Sequence, residues 1–259
     1  MQFGQYKLTM CRYGWMLHCG PYIGKCFELY GQYSEAEVAI LRSILRPGET
    51  AIDIGANIGD LTVPMSRMVG PQGRIYAIES HSDNYHVLCA NLALNGITNT
   101  KALNCFIADS PDVATEGRWG KFGYVSQIWG ATIVPLDSLG VESCALIKID
   151  VDGKELEVLR SARSLIEKSR PILYFENDEQ DASPALLSHA MGQGYDLYWH
   201  PAPIFEADNF FGNPINHWAP RNIVSLMIVG IPVERRAQYS VPLKPVTDPG
   251  QWWDQILAQ

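Results

Sequence analysis

Asp53-Ile54-Gly55-Ala56-Asn57-Ile58-Gly59 follows directly on Thr50-Ala51-Ile52, and its reading decides the fold. Ala51 to Ile54 is a short apolar run that stops at Gly55, as a buried strand does at a sharp turn. Gly55 lets the chain bend, and Gly59 lets the next helix start close to a ligand. The two glycines stand four residues apart and do not make G-x-G-x-x-G, so the bend lacks the tight pyrophosphate cradle of dinucleotide binders.

Outward from this bend, apolar runs alternate with amphipathic segments, the pattern of strand-helix-strand units joined in a parallel sheet. Asp60 to Met68 reads as a helix that tolerates Pro64 in its first turn. Gly70-Pro71-Gln72-Gly73 is a turn, Arg74 to Ile78 a second strand, and Ser82 to Asn95 a helix capped by Ser82. A third strand falls between Lys101 and Ala108. Residues 109–135 show no sustained period, and their Trp119 and Trp129 either cover a pocket or pack as loop aromatics. Ala145 to Asp150 is a fourth strand, and Leu156, Leu159, Ala162, Leu165 and Ile166 put one apolar stripe on the helix after it. Pro171 to Glu176, Tyr195 to Trp199 and Asn222 to Val229 read as further strands, with a helix over Ser183 to Gly194. The expectation is an α/β, Rossmann-like, mostly parallel sheet with helices on both faces. Residues 1–45 form a covering segment, 46–235 the main domain with an insertion at 200–221, and 236–259 a C-terminal extension.

A chain of 259 residues with 47% hydrophobic and 19% charged residues can bury one large core. Its 28 acidic residues outnumber 20 basic ones, for a formal charge of -8, and no stripe of Lys and Arg offers itself to a phosphate backbone. Nucleic acid is therefore not expected as substrate. Met1 to Met10 has no secretory pattern, and the longest apolar stretch, Ile223 to Val233, is too short to span a bilayer, so a cytoplasmic location is expected. The six cysteines form no C-x-x-C pair, which argues against zinc and for reduced thiols in the core.

Ligands of such sheets settle beyond the carboxyl ends of the strands. Glu79 ends the second strand, twenty residues after Gly59, where a carboxylate can accept both hydroxyls of a ribose. Bend and acid together favour a nucleoside without a pyrophosphate, and S-adenosylmethionine (SAM) fits. Asp53, Gly55, Ala56, Asn57, Gly59, Glu79, Ser80 and Asp150 are the expected cofactor contacts, with Asp53 near the amino group. Ser34 and Glu37 either help to hold the methionine tail or form a helix capping box. Trp15, Tyr22, Phe27, Tyr30 and Tyr33 belong to the segment expected to fold over the cofactor.

Asp150, Glu176 and Asn177, at the ends of two neighbouring strands, should converge. They either bind a hard divalent ion such as Mg²⁺ through oxygen or hold an acceptor hydroxyl directly. Lys148 should share a face with Asp150, and burial demands a partner acid such as Asp150 or Glu176, in a catalytic role or a structural ion pair. Asp152 and Glu155 read equally as turn and helix caps. His200 and His217 are candidate general bases. Around them Trp199, Asn209, Phe210, Phe211, Asn213, Asn216, Trp218 and Arg221 would suit a polyhydroxylated acceptor, although several are ordinary loop residues.

The chain resembles the FkbM family of SAM-dependent methyltransferases. The resemblance rests on Asp53 to Gly59, on Leu136-Asp137-Ser138-Leu139 and on Leu146-Ile147-Lys148-Ile149-Asp150-Val151-Asp152-Gly153-Lys154-Glu155. It extends to Tyr30-Gly31-Gln32-Tyr33-Ser34-Glu35-Ala36-Glu37, Tyr198-Trp199-His200 and Asn209-Phe210-Phe211-Gly212-Asn213, covering about residues 12–232. It implies a seven-stranded class I methyltransferase sheet and methyl transfer to a hydroxyl oxygen of a sugar, glycan or natural product. Ser80-His81 departs from the family's frequent proline after the acid, and Asp152 replaces a more usual glutamate. A degenerate SAM-binding or scaffolding protein and a nicotinamide-dependent oxidoreductase stay open as alternatives, the second weakened by the missing G-x-G-x-x-G.

Overall fold

The computed structural model describes residues 2–109, 132–219, 224–239 and 242–254. The chain begins with a small antiparallel sheet of β1 (Gln2–Phe3), β2 (Tyr6–Cys11) and β3 (Gly14–His18), followed by α1 (Ile23–Tyr30) and α2 (Glu35–Ile44). The alternating series then runs β4 (Thr50–Ile54), α3 (Thr62–Val69), β5 (Arg74–Ile78), α4 (Ser82–Leu94), β6 (Thr100–Leu103), β7 (Cys105–Ile107) and β8 (Thr132–Val134). It continues with β9 (Leu146–Ile149), α5 (Glu155–Ser161), α6 (Arg163–Ser169), β10 (Ile172–Glu176), α7 (Ser183–Gly192), β11 (Tyr195–Pro203), β12 (Val224–Pro232) and β13 (Lys244–Pro245).

The main sheet has the order β6-β5-β4-β9-β10-β12-β11-β13. It is parallel from β6 to β10, and β12 then enters antiparallel between β10 and β11. Seven strands were expected; the eighth, β13, is a two-residue strand on the edge beside β11. Among the described residues no helix is long and apolar enough to cross a membrane.

Both faces of the sheet are covered, which explains why its strands read as unbroken apolar runs. Ala51, Leu146, Ile172 and Tyr174 pack against Val38, Leu41 and Met65 of α2 and α3, and against Leu88 of α4. Ile52, Ile147, Leu173 and Phe175, one residue along on each strand, pack against α5, α6 and α7. Alternation therefore puts Asp53, Lys148 and Tyr174 on the α2-α3 face, and the register pairs Lys148 with Asp53 on one side and Tyr174 on the other. A polar row thus crosses the middle of an otherwise apolar sheet.

Three expected elements are divided or extended. The third strand breaks at Asn104, whose amide donates to Glu79 O at 2.8 Å and Ser80 O at 3.2 Å, and β7 pairs with β8 instead. The single helix expected after Asp150 breaks at Ala162. Asp137 reaches in from the Leu136–Leu139 turn and accepts from Ser164 N at 2.8 Å and Leu165 N at 2.9 Å, so α6 has a start of its own. β11 runs on to Pro203 and pairs throughout with β12, so His200 lies inside the sheet rather than in the 200–221 insertion. Trp119, Trp129 and Arg221 lie outside the described residues.

Of the first 45 residues, α2 is core: Val38 and Leu41 are fully buried against the sheet. Arg12 and the stretch Leu29 to Gln32 join the late insertion. Gln32 Oε1 accepts from Arg12 Nε at 2.9 Å and Phe210 N at 2.8 Å, while Asn213 Nδ2 donates to Leu29 O at 3.1 Å and Tyr30 Oη to Ile215 O at 3.1 Å. Two segments far apart in sequence thereby form one structure.

Candidate active site

The bend after β4 is fixed from both sides. Gly55 has φ +76°, and a Cβ there would lie 1.7 Å from the Asp150 carbonyl oxygen, so only glycine lets the two strand tips touch. The backbone groups of the bend are spent internally: Gly55 N and Ala56 N both donate to Ile78 O at 2.9 Å, and Gly59 N donates to Ala56 O at 2.8 Å. Gly59, expected to make room for a ligand, instead makes room for Leu88 of α4, 2.9 Å from where its Cβ would stand.

Glu79 links this bend to the next helix. Its Oε2 accepts from Asn57 N at 2.8 Å and its Oε1 from His81 N at 2.7 Å, which leaves a second lone pair on each oxygen. Asn57, at φ +47°, is held in a left-handed conformation that brings its N–H to the carboxylate. Burial pushes the Glu79 carboxyl up to about 7, against the pull of these two N–H groups. The helix cap expected at Ser82 falls one residue earlier, at His81, and Ser80 offers its carbonyl to Asn104.

Asp53 does not face the site opening. It is fully buried, its Oδ2 accepts from Thr62 Oγ1 at 2.5 Å, and its Oδ1 lies 3.3 Å from Lys148 Nζ. Lys148 is the hub of the polar row: besides Asp53 it donates to Gly55 O at 3.0 Å and lies 3.6 Å from Asp150 Oδ2. Burial opposes its charge, but Asp53, Asp150, Asp60 and Glu37 outweigh burial and hold its pKa above the ordinary lysine value. Its expected partner Asp150 is there, Glu176 is not a contact, and Asp53 from the neighbouring strand was not foreseen.

Asp150 and Glu176 do converge. Burial raises the Glu176 pKa well above the ordinary value, and Asp150, Asp178 and Glu155 raise it further; Asp150 is also its hydrogen-bond partner. Glu176 therefore keeps its proton at pH values where a lone glutamate has lost it. Asn177 Nδ2 donates to Ser183 Oγ at 2.9 Å at the start of α7, and its buried Oδ1 has no hydrogen-bond donor among the described residues. These three residues do not fit a divalent ion. An ammonium already stands beside Asp150, and burial with the neighbouring acids holds Glu176 toward its protonated form; among the described residues no three His, Cys, Asp or Glu side chains group as metal ligands.

His200 stands behind the site. It is buried, its Nδ1 lies 2.9 Å from Tyr174 Oη, and burial pushes its pKa down to about 4, which makes it a poor base at neutral pH. His217 caps the insertion instead, its N–H donating to Tyr30 Oη at 3.0 Å. The amides expected to greet a sugar are used as turn braces: Asn209 bonds both Asn213 N and O, and Asn216 Oδ1 accepts from Trp218 N at 2.9 Å. Trp218 stacks on Tyr22 and Trp199 is core, whereas Phe210 and Phe211 remain 45% exposed.

The capping box at Ser34 does not form. Ser34 has φ +44°, and its Oγ donates to Glu37 Oε1 at 2.6 Å rather than capping backbone N–H groups. Glu37, buried on α2, feels the charges of Asp150 and Lys148. Glu155 is a brace, accepting from Val151 N at 3.1 Å and Gly153 N at 3.2 Å around Asp152, which sits at φ +52°. Asp60 escaped the sequence reading. An acid directly after the last glycine of the bend was a visible signal, but one shared by any acid near a helix start.

A parallel sheet reversed by one antiparallel strand, with an acid after β5 and a glycine bend after β4, defines a Rossmann-like class I methyltransferase fold. The chain belongs to the FkbM methyltransferase family: the model of the Methyltransferase FkbM domain matches residues 53–191, more than half of the chain. A curated relative, Methyltransferase sdnD of Sordaria araneosa, is 29% identical over 42% of this chain and 58% of its own length. A second, the tRNA(Phe) (4-demethylwyosine(37)-C(7)) aminocarboxypropyltransferase of Methanocaldococcus jannaschii, is 36% identical over 27% of this chain and 26% of its own length. The chain thus spans only part of either relative. Among solved structures, the precorrin-6y C5,15-methyltransferase of Geobacter metallireducens superposes with TM-score 0.53 at 15% identity, covering 75% of this chain and 87% of that one. Methyltransferase FkbM of Methylobacillus flagellatus gives TM-score 0.50 at 16% identity, covering 74% and 50%.

Proposed function

We propose that the chain is a SAM-dependent O-methyltransferase that acts on a hydroxyl of a sugar, glycan or small natural-product acceptor in the cytoplasm. The observation that carries this reading is the convergence of Asp150 and Glu176 at adjacent strand tips, set beside the glycine bend, with Lys148 Nζ 3.6 Å from Asp150 Oδ2. Family membership supports the methyl transfer. The net charge of -8 speaks against a polyanionic acceptor, and six unpaired cysteines, four of them buried, suit a reducing compartment.

The bound cofactor would supply an electrophilic methyl group on a sulfonium. The acceptor hydroxyl must then be aligned and relieved of its proton. Asp150, with its side chain 40% exposed, is the open member of the pair and takes that proton. Glu176 and Lys148 fix the orientation of its carboxylate. Glu79 offers its remaining lone pairs to the ribose hydroxyls, and the Gly55 bend shapes the floor beneath the nucleoside. His200 orients Tyr174 in the wall and takes no part in proton transfer.

The test is incubation with isotopically labelled SAM and a panel of glycans and hydroxylated metabolites, read by mass spectrometry. Labelled methyl ether should form, Asp150→Asn should lower kcat by on the order of 10²- to 10⁴-fold, and EDTA should leave the rate unchanged. Absence of turnover across the panel despite tight SAM binding would favour the degenerate, SAM-sensing reading.

A further inference from the structure

The polar row sets one ammonium, Lys148, against four acids, Asp53, Asp150, Asp60 and Glu37. An ammonium has three N–H donors, and Lys148 has three neighbours for them: Asp53 Oδ1 at 3.3 Å, Asp150 Oδ2 at 3.6 Å and Gly55 O at 3.0 Å. Asp60, in the loop between β4 and α3, acts on the same ammonium from outside these three contacts. One of its oxygens is engaged by its own backbone N–H. The other, Oδ1, is shut off from solvent and has no hydrogen-bond donor among the described residues. A buried acceptor without a donor is costly to keep, so such an atom points to a donor supplied by a ligand.

We propose that Asp60 is the carboxylate that receives the α-ammonium of the cofactor's amino-acid arm, the role that its place at the strand end would suggest for Asp53. The assignment rests on the SAM reading given above. Asp53 cannot serve, because it is fully buried, its Oδ2 accepts from Thr62, and its Oδ1, though without a hydrogen-bond donor among the described residues, already faces the Lys148 ammonium at 3.3 Å. Asp60 lies one residue past the last glycine of the bend and shares the field of the same groups: burial first, then Lys148, Asp53 and Asp150 set its titration, and Tyr33 faces it from the segment before α2. Burial pushes its carboxyl up to about 8, so in the free protein part of the population holds a proton there. The bound ammonium takes the place of that proton and ionises the carboxyl.

Calorimetry with three ligands tests the assignment: SAM, S-adenosylhomocysteine, and 5′-methylthioadenosine, which lacks the amino-acid arm. Asp60→Asn should weaken the first two on the order of 10- to 100-fold and leave 5′-methylthioadenosine within about twofold. The parent protein should also bind desamino-S-adenosylhomocysteine on the order of 10-fold or more weaker than the amino form, a comparison that needs no variant to fold. Equal binding of SAM by parent and Asp60→Asn, equal binding of the amino and desamino forms by the parent, or a matching loss of 5′-methylthioadenosine in the variant each overturns the role of Asp60. A parent that binds none of these ligands overturns the SAM reading itself, and the role of Asp60 with it.

Discussion

Asn91 on α4 grips the peptide groups of Leu17 on β3 as a neighbouring strand would: its Oδ1 accepts from Leu17 N at 2.6 Å and its Nδ2 donates to Leu17 O at 3.0 Å. One helical turn on, Asn95 does the same to Trp15, at 3.0 and 2.7 Å. Four helical residues rise about 6 Å and two strand residues about 6.8 Å, so two amides on one helix face can serve alternate residues of a strand edge. The N-terminal sheet is thereby sealed onto α4 by side chains. Asn91 also donates to Ile58 O at 2.8 Å, which ties the hairpin to the bend of the site.

Asn91→Leu keeps the branched shape with added bulk and strands three backbone groups. Urea unfolding should show a loss of about 2–4 kcal/mol. Asn95→Leu, whose Trp15 bonds are exposed, should cost under about 1 kcal/mol. Equal costs at the two positions would contradict the buried-grip reading.

Lys148→Met leaves Asp53 buried with Thr62 as its one donor. The expected loss is about 3–5 kcal/mol in denaturant titration, because the remaining charge is uncompensated. Adding Asp53→Asn should recover part of that loss. A Lys148→Met protein as stable as the parent would show that the pair contributes nothing.

Gly55 and Gly140 separate backbone strain from contact. Both have positive φ, +76° and +66°, but a Cβ at Gly140 meets open space while one at Gly55 strikes the Asp150 carbonyl. Gly140→Ala should cost about 1 kcal/mol. Gly55→Ala should cost at least about 3 kcal/mol, since the tips of β4 and β9 must separate. Thermal unfolding of the two variants side by side checks the ordering.

Glu155 gives a pH signature. Burial lifts its carboxyl to about 8, against an ordinary 4.5. Between those values the unfolded chain has lost a proton that the folded chain keeps, so this group makes stability fall as pH rises through that window. Glu155→Gln removes the titration while its Oε1 can still accept from Val151 and Gly153. The Tm difference, variant minus parent, should therefore grow by several degrees from pH 5 to pH 8. A difference that is flat across that range, or that shrinks, would refute the burial of an ionisable Glu155.

Local sequence settled the tips of the strands. Glycine with the apolar run before it marks the end of β4, and the acids at 79, 150 and 176 follow from where apolar runs stop, because a strand buried on both faces must exclude charge until it ends. The family, the sheet and most helix positions come from such short-range patterns. Cross-strand register is not written in any window of sequence, and it was register that set Asp53 opposite Lys148 and closed it to ligand. Long-range contacts likewise moved His200 behind Tyr174, gave Asp137 to the start of α6, and left Asp60 with an oxygen that no donor among the described residues satisfies. An ionisable side chain shows its type in the sequence, but which partner it holds depends on groups brought together from several strands and helices, and only the folded chain decides whether a donor is left for it.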